Sequence, residues 1–165
     1  SPDARYDEAP EMSAPNVTKA VVGALDAYDF ILVNFANADM VGHTGNFRAT
    51  VEAIEALDRA ISVILPAVLK HGGALAITSD HGNAEEKLYR ETGEARTKHT
   101  PNPVPFFLAA TDVQWKDERA AAEIEKRYRS VQGVLADVAP TVLELLGLRP
   151  SPEMTGVSLI KILSQ

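Results

Sequence analysis

A chain of 165 residues, 45% hydrophobic and 24% charged, has the size and composition of one ordinary globular domain with enough apolar material for a sizeable core. Its formal net charge of −7 argues against nonspecific nucleic-acid binding or docking on an anionic membrane, and the lack of cysteine excludes a disulfide framework while permitting a reducing compartment. No apolar run approaches the roughly 20 residues that span a bilayer, and no signal-peptide pattern or initiator methionine is present, so we expect a processed chain or a piece of a longer one.

Residues 1–11, with Pro2, Pro10 and several charges, read as an extended lead-in outside the core. Ser13 is placed to cap a helix over 14–27, with Pro15 in its first turn and Val17, Val21, Val22 and Leu25 on one face. The apolar run 29–35 predicts a buried strand. Residues 47–70 predict a long crossover helix, since Val51, Ile54, Leu57, Ile61, Ile64, Leu65 and Val68 keep helical spacing; Pro66 should kink it or start a new segment. His71-Gly72-Gly73 closes that helix, which gives His71 a structural role at the negative end of the dipole. Residues 74–78 predict the next strand. Strand, helix and strand in one sheet form a parallel, right-handed unit, which brings the ends of both strands to one rim.

Each of those strands runs out into a carboxylate and an imidazole. After the first come Asn37-Ala38-Asp39-Met40-Val41-Gly42-His43-Thr44-Gly45, where the four-residue spacing lets one helical turn or a compact loop aim Asp39 and His43 at one point. After the second come Thr78-Ser79-Asp80-His81-Gly82-Asn83-Ala84-Glu85, in which Asp80 and His81 offer an oxygen and a nitrogen to one cation. Either cluster alone is readily a capped turn with a surface histidine. Together, at consecutive strand ends where open α/β sheets keep their ligands, they point to a metal site.

Residues 84–98 are polar and charged and read as an exposed excursion with a turn at Thr92-Gly93-Glu94. His99, ahead of a proline-stiffened approach (Pro101, Pro103, Pro105), is a further ligand candidate, and 104–109 predict a third strand. Residues 112–129, with Trp115, read as a solvated helix on an excursion. Asp137 is placed to cap a short helix with Pro140 in its first turn and Gly147 at its end, and 153–156 make a turn before the apolar tail 157–163.

These motifs resemble, in order, those of the cofactor-independent (2,3-bisphosphoglycerate-independent) phosphoglycerate mutases of the alkaline phosphatase superfamily. The strings at 37–45 and 78–85, Lys98-His99-Thr100 ahead of Pro103-Val104-Pro105, and Leu135-Ala136-Asp137-Val138-Ala139-Pro140-Thr141 carry the likeness, with Pro10-Glu11-Met12-Ser13-Ala14 and Glu153-Met154-Thr155-Gly156 similar too. It covers nearly the whole chain, 112–129 excepted.

The resemblance implies an α/β, three-layer alkaline-phosphatase-like sheet with helices on both faces, present as a partial domain. It implies that 1–165 is the C-terminal portion of the metal-binding phosphatase domain, without the N-terminal portion and the phosphotransferase domain. It further implies a cytoplasmic, glycolytic isomerase with two Mn²⁺ that interconverts 2- and 3-phosphoglycerate through a phosphoserine. Asp39, His43 and His99 would bind one ion, and Asp80 and His81 would bind the other incompletely. The family's serine nucleophile and basic substrate contacts fall upstream of the residues present, so no catalytic residue is assigned and the chain is expected to be inactive alone. Its partners would be phosphoglycerate and the N-terminal remainder of the parent chain, with no nucleic acid and no membrane. A non-catalytic metal-binding or interaction half of a split protein, and a phosphopentomutase-like or other phosphotransferase of the alkaline phosphatase superfamily, are the other readings the residues leave open.

Overall fold

A computed structural model describes residues 5–111 and 120–163, which form a mixed fold of helices and a small sheet. The chain divides into two compact units, 1–71 with 81–102, and 72–80 with 103–165.

The first unit is helical. A single 3-10 turn, Tyr6–Glu8, leads to α1 (Ala14–Ala24), α2 (Asn37–Gly42) and α3 (Phe47–Lys70). Helix α3 has the bounds its spacing predicts and continues through Pro66. Asn46 caps it, accepting a 3.1 Å hydrogen bond from the Ala49 N–H, and Gly72, at φ +70°, stops it. The His71 N–H is satisfied by the carbonyls of Ala67 and Val68, and its ring lies 2.7 Å from the Ala67 carbonyl and 3.2 Å from Asp26.

The buried stripe of α3 differs from the one its large residues suggest. Ala49, Ala53, Ala56 and Ala60, followed by Ile64 and Val68, face inward, whereas Val51 and Ile54 are exposed. Alanine lets α1 and α2 pack closely against α3, and closeness of approach has decided the contact face over side-chain size. The lead-in is likewise more than a lead-in. Tyr6 and Met12 pack on the Val41, Ala49 and Ala53 cluster, Pro10 is buried, and the buried Asn37 amide donates to the Pro10 and Glu11 carbonyls at 2.8 Å each. Ser13 precedes α1 without a side-chain capping bond.

The strand expected over 29–35 does not form. The segment takes no regular element, with Phe30 and Leu32 exposed and alternate residues half-buried, and no ladder joins it to another strand among the described residues. It has the two-residue alternation of a strand without the backbone partner that a strand also needs. The expected parallel pairing therefore gives way to an antiparallel one. β1 (Ala74–Thr78) pairs with β2 (Phe106–Ala110), in register from Ala74 opposite Ala110 to Thr78 opposite Phe106.

That pair belongs to the second unit, with α4 (Ala121–Tyr128), a 3-10 turn at Leu135–Asp137, α5 (Val138–Leu145) and α6 (Ile160–Leu163). Helix α4 buries none of its residues and carries exposed Glu125–Arg129 and Glu123–Arg127 pairs, as its alternating charges predict. The stretch before it, with Trp115, lies outside the described residues. Asp137 corrects the capping reading. Its carboxylate turns away from α5 and accepts the Val134 and Val157 N–H groups, each at 2.8 Å. The Thr141 hydroxyl donates to the Asp137 carbonyl and accepts from the Leu159 N–H, so one buried pair ties α5 to the C-terminal tail. No helix among the described residues is long and apolar enough to cross a membrane.

Candidate metal centre

The first unit gathers three of the predicted ligands. Asp39 lies in α2 and His43 caps it, so the four-residue spacing puts both on one side of a single helical turn. His99 joins them from the return of the 84–98 excursion. The Asp39 Oδ1 atom is 3.2 Å from Nε2 of His43 and 3.2 Å from Nε2 of His99, and the two nitrogens are 3.0 Å apart. One donor atom from each residue falls within 4.8 Å of the others, a set that could hold a metal ion. The His81 ring stacks on His99 with centroids 3.6 Å apart and 18° between planes. Asp80, the residue before it, falls in the second unit. Three of the five predicted residues are thus grouped directly, and a fourth stands against them.

The surroundings orient these groups. His43 Nδ1 is 2.6 Å from the Thr97 carbonyl oxygen. A carbonyl only accepts, so Nδ1 carries a proton and, in the neutral ring, Nε2 keeps its lone pair toward Asp39. Such an outward hydrogen bond is the usual means of presenting a histidine to a metal. Burial works against an ionised Asp39, but the Asn83 amide at 2.7 Å and the rings of His43, His99 and His81 outweigh it and hold the carboxyl below the ordinary aspartate range. Asp39 therefore presents an anion at neutral pH to two imidazole nitrogens. A hard oxygen and two borderline nitrogens, half-exposed, fit a divalent first-row cation.

The loop that brings His99 in is built on Glu85. Its carboxylate accepts the Asn83 N–H at 2.7 Å, the Thr100 hydroxyl and the Asn102 amide at 3.0 Å. Burial opposes the charge, but these hydrogen bonds prevail and Glu85 too sits below its ordinary range. A Cβ on Gly82 would fall 2.2 Å from the Thr100 hydroxyl oxygen and 2.4 Å from the Glu85 carboxylate, so the bare glycine is a packing requirement. Arg96 pairs with Glu86 at 3.4 Å and lies over the Tyr89 ring.

Sequence reasoning missed what lies inside this excursion. Lys87 is buried, although 84–98 reads as solvated, and so is Asn83 just ahead of it. The only available signal was their four-residue spacing, which is weak outside a helix.

A chain that collects two imidazoles and an ionised carboxylate around one point is built like a metalloenzyme, and it belongs to the Metalloenzyme superfamily, whose family description matches residues 2–150. Among particular relatives, it is 52% identical over 95% of its length to the 2,3-bisphosphoglycerate-independent phosphoglycerate mutase of Chloroflexus aurantiacus, and 46% identical over 96% to that of Legionella pneumophila. A crystal structure of Leishmania mexicana phosphoglycerate mutase at low cobalt concentration matches with a TM-score of 0.77 and 28% identity over 94% of this chain. The chain spans 28% and 29% of the two curated relatives and 29% of the solved one. The fold is therefore that of a partial alkaline-phosphatase-like domain.

Proposed function

We propose that this chain is the C-terminal, metal-binding portion of the phosphatase domain of a phosphoglycerate mutase, an isomerase that interconverts 2- and 3-phosphoglycerate by way of a phosphoserine. The Asp39, His43 and His99 cluster is the observation that carries the reading, because it presents three convergent donors from two separate stretches of chain. Similarity over 95% of the chain to enzymes named as phosphoglycerate mutases supports the substrate and reaction class.

In this reading Asp39, His43 and His99 hold one Mn²⁺, and Asp80 and His81 contribute to a second. Bound there, the ions supply charge to neutralise a phosphoryl group and to lower the pKa of an attacking hydroxyl. The chain's own residues hold the donors still. The Thr97 carbonyl fixes the His43 tautomer, the Asn83 amide holds the Asp39 carboxylate, and Glu85 braces the loop that carries His99. Serine nucleophile, substrate contacts and the rest of the second ion's shell come from the N-terminal remainder of the parent chain, which acts in glycolysis in the cytoplasm.

An enolase-coupled assay tests this. The complete parent protein with Mn²⁺ should convert 3-phosphoglycerate and lose turnover in the Asp39→Ala variant, while the 165-residue chain alone gives none. Full turnover by the isolated chain, or none by the parent protein, would refute the assignment.

A further inference from the structure

Lys87 stands in a run of charges and is nevertheless only 6% exposed. A buried ammonium is costly unless it is hydrogen-bonded. Its Nζ donates to the Gly42 carbonyl at 2.7 Å and to Asn83 Oδ1 at 2.8 Å. Lysine offers donors and no acceptor, so only the oxygen end of the Asn83 amide can face it. The nitrogen end is then directed at Asp39, where it donates to Oδ1 at 2.7 Å and to the backbone carbonyl at 3.3 Å. An ionised carboxylate accepts only, so the amide is fixed from both ends. A flip would set donors against Nζ and an oxygen against the carboxylate.

Gly42 makes room for this arrangement. A Cβ there would lie 2.7 Å from Asn83 Oδ1 and 3.0 Å from its Cγ. The absent side chain lets the amide lie against the end of α2.

We propose that Lys87 is a positioning residue of the cation site: through the Asn83 amide it fixes the Asp39 carboxylate, and through the Gly42 carbonyl it fixes the end of α2 that presents His43. This rests on the metal reading above. Two effects of opposite sign separate it from a purely electrostatic role. Repulsion between the ammonium and a cation makes binding tighter when the charge is removed. Positioning makes binding weaker.

The test is a calorimetric Mn²⁺ titration of the 165-residue chain and its Lys87→Met, Gly42→Ala, Asn83→Ala and Lys87→Met/Asn83→Ala variants, with the visible spectrum of each Co²⁺-loaded form. Outer-shell partners of metal ligands commonly contribute 10–100-fold in affinity, so Lys87→Met and Gly42→Ala should each weaken Mn²⁺ binding about tenfold and alter the Co²⁺ band. The double variant should lose less than the sum of the two single losses, since part of the Lys87 effect passes through that amide and the rest through the Gly42 carbonyl. Unchanged or tighter binding by Lys87→Met, or additive losses in the double variant, overturns the proposal. Gly42→Ala retains the lysine and decides the matter if Lys87→Met does not fold; unchanged affinity there overturns the proposal equally. Failure of the wild-type chain to bind either cation would instead remove the metal reading on which the proposal stands.

Discussion

Asp39 and Asp137 are both held below the ordinary aspartate range, one in each unit, and they differ in what holds them. Asp137 is surrounded by backbone. The N–H groups of Val134 and Val157 satisfy its carboxylate, and the result is a clasp between the turn before α5 and the C-terminal tail. Asp39 is surrounded by side chains. The buried amide of Asn83 and three imidazoles counter its desolvation, and two of the ring nitrogens stand 3.2 Å from a single oxygen. A lowered carboxylate pKa therefore does not by itself mark a functional site. The partners decide: backbone donors close a structure, whereas convergent side-chain donors leave a place for a charge.

Gly156→Ala should disturb the Asp137 clasp most. A Cβ there would lie 2.0 Å from the Ala136 carbonyl oxygen and 2.9 Å from the Asp137 nitrogen, and rigid backbone cannot yield as a side-chain tip can. We expect a loss of about 3 kcal/mol or more, at the upper end for overpacking, measured by urea unfolding. Metal affinity of the folded fraction should not change.

A pair of amide substitutions sharpens the contrast. In Asp137→Asn only one oxygen remains for two N–H donors, so the melting temperature at neutral pH should fall. Because the folded-state pKa is depressed, the carboxylate's contribution is full above the ordinary aspartate value and is lost as pH falls from there through the lower folded value. The acid limb of stability against pH should accordingly be shallower in the variant than in the wild type. Asp39→Asn should also lower the metal-free melting temperature, because the fold favours its ionised form too, and in addition should lower the stabilisation that added Mn²⁺ provides, which Asp137→Asn leaves intact. Loss of the Mn²⁺ stabilisation in Asp137→Asn and not in Asp39→Asn would mean that the roles have been exchanged.

The smallest effect is expected at Asn46, whose side chain caps α3. Asn46→Ala should cost about 1 kcal/mol by the same unfolding measurement, with no change in metal affinity.

What was legible in the sequence follows from what is local. Helix α3 appears with its expected bounds because 24 residues of helical spacing lie between an asparagine cap and a glycine stop. Strand β1 appears because Ala74–Thr78 is apolar and bounded by turn signals. Asp39 and His43 come together because a helical turn imposes it, and His99, a candidate from the prolines that follow it, joins them on the loop that Glu85 braces.

The failures lie where pairing partners decide. Residues 29–35 have strand composition and no ladder among the described residues, since hydrogen-bond partners cannot be read from one segment. The alanine stripe of α3 was hidden behind its larger residues. Asp137 has the residue type of a helix cap, yet its carboxylate serves the turn behind it and the distant tail. Lys87 was least legible, because its burial depends on a carbonyl 45 positions upstream.

If Asp39, His43 and His99 bind a divalent cation, two histidines at helix ends must respond differently to substitution. The His71 ring meets its own helix's carbonyl and Asp26, whereas the His43 ring meets the Thr97 carbonyl, Asp39 and His99. In calorimetric Mn²⁺ titrations, His43→Ala should lower the affinity at least tenfold and His71→Ala should leave it unchanged. Equal effects of the two substitutions, or none from His43→Ala, would contradict the account.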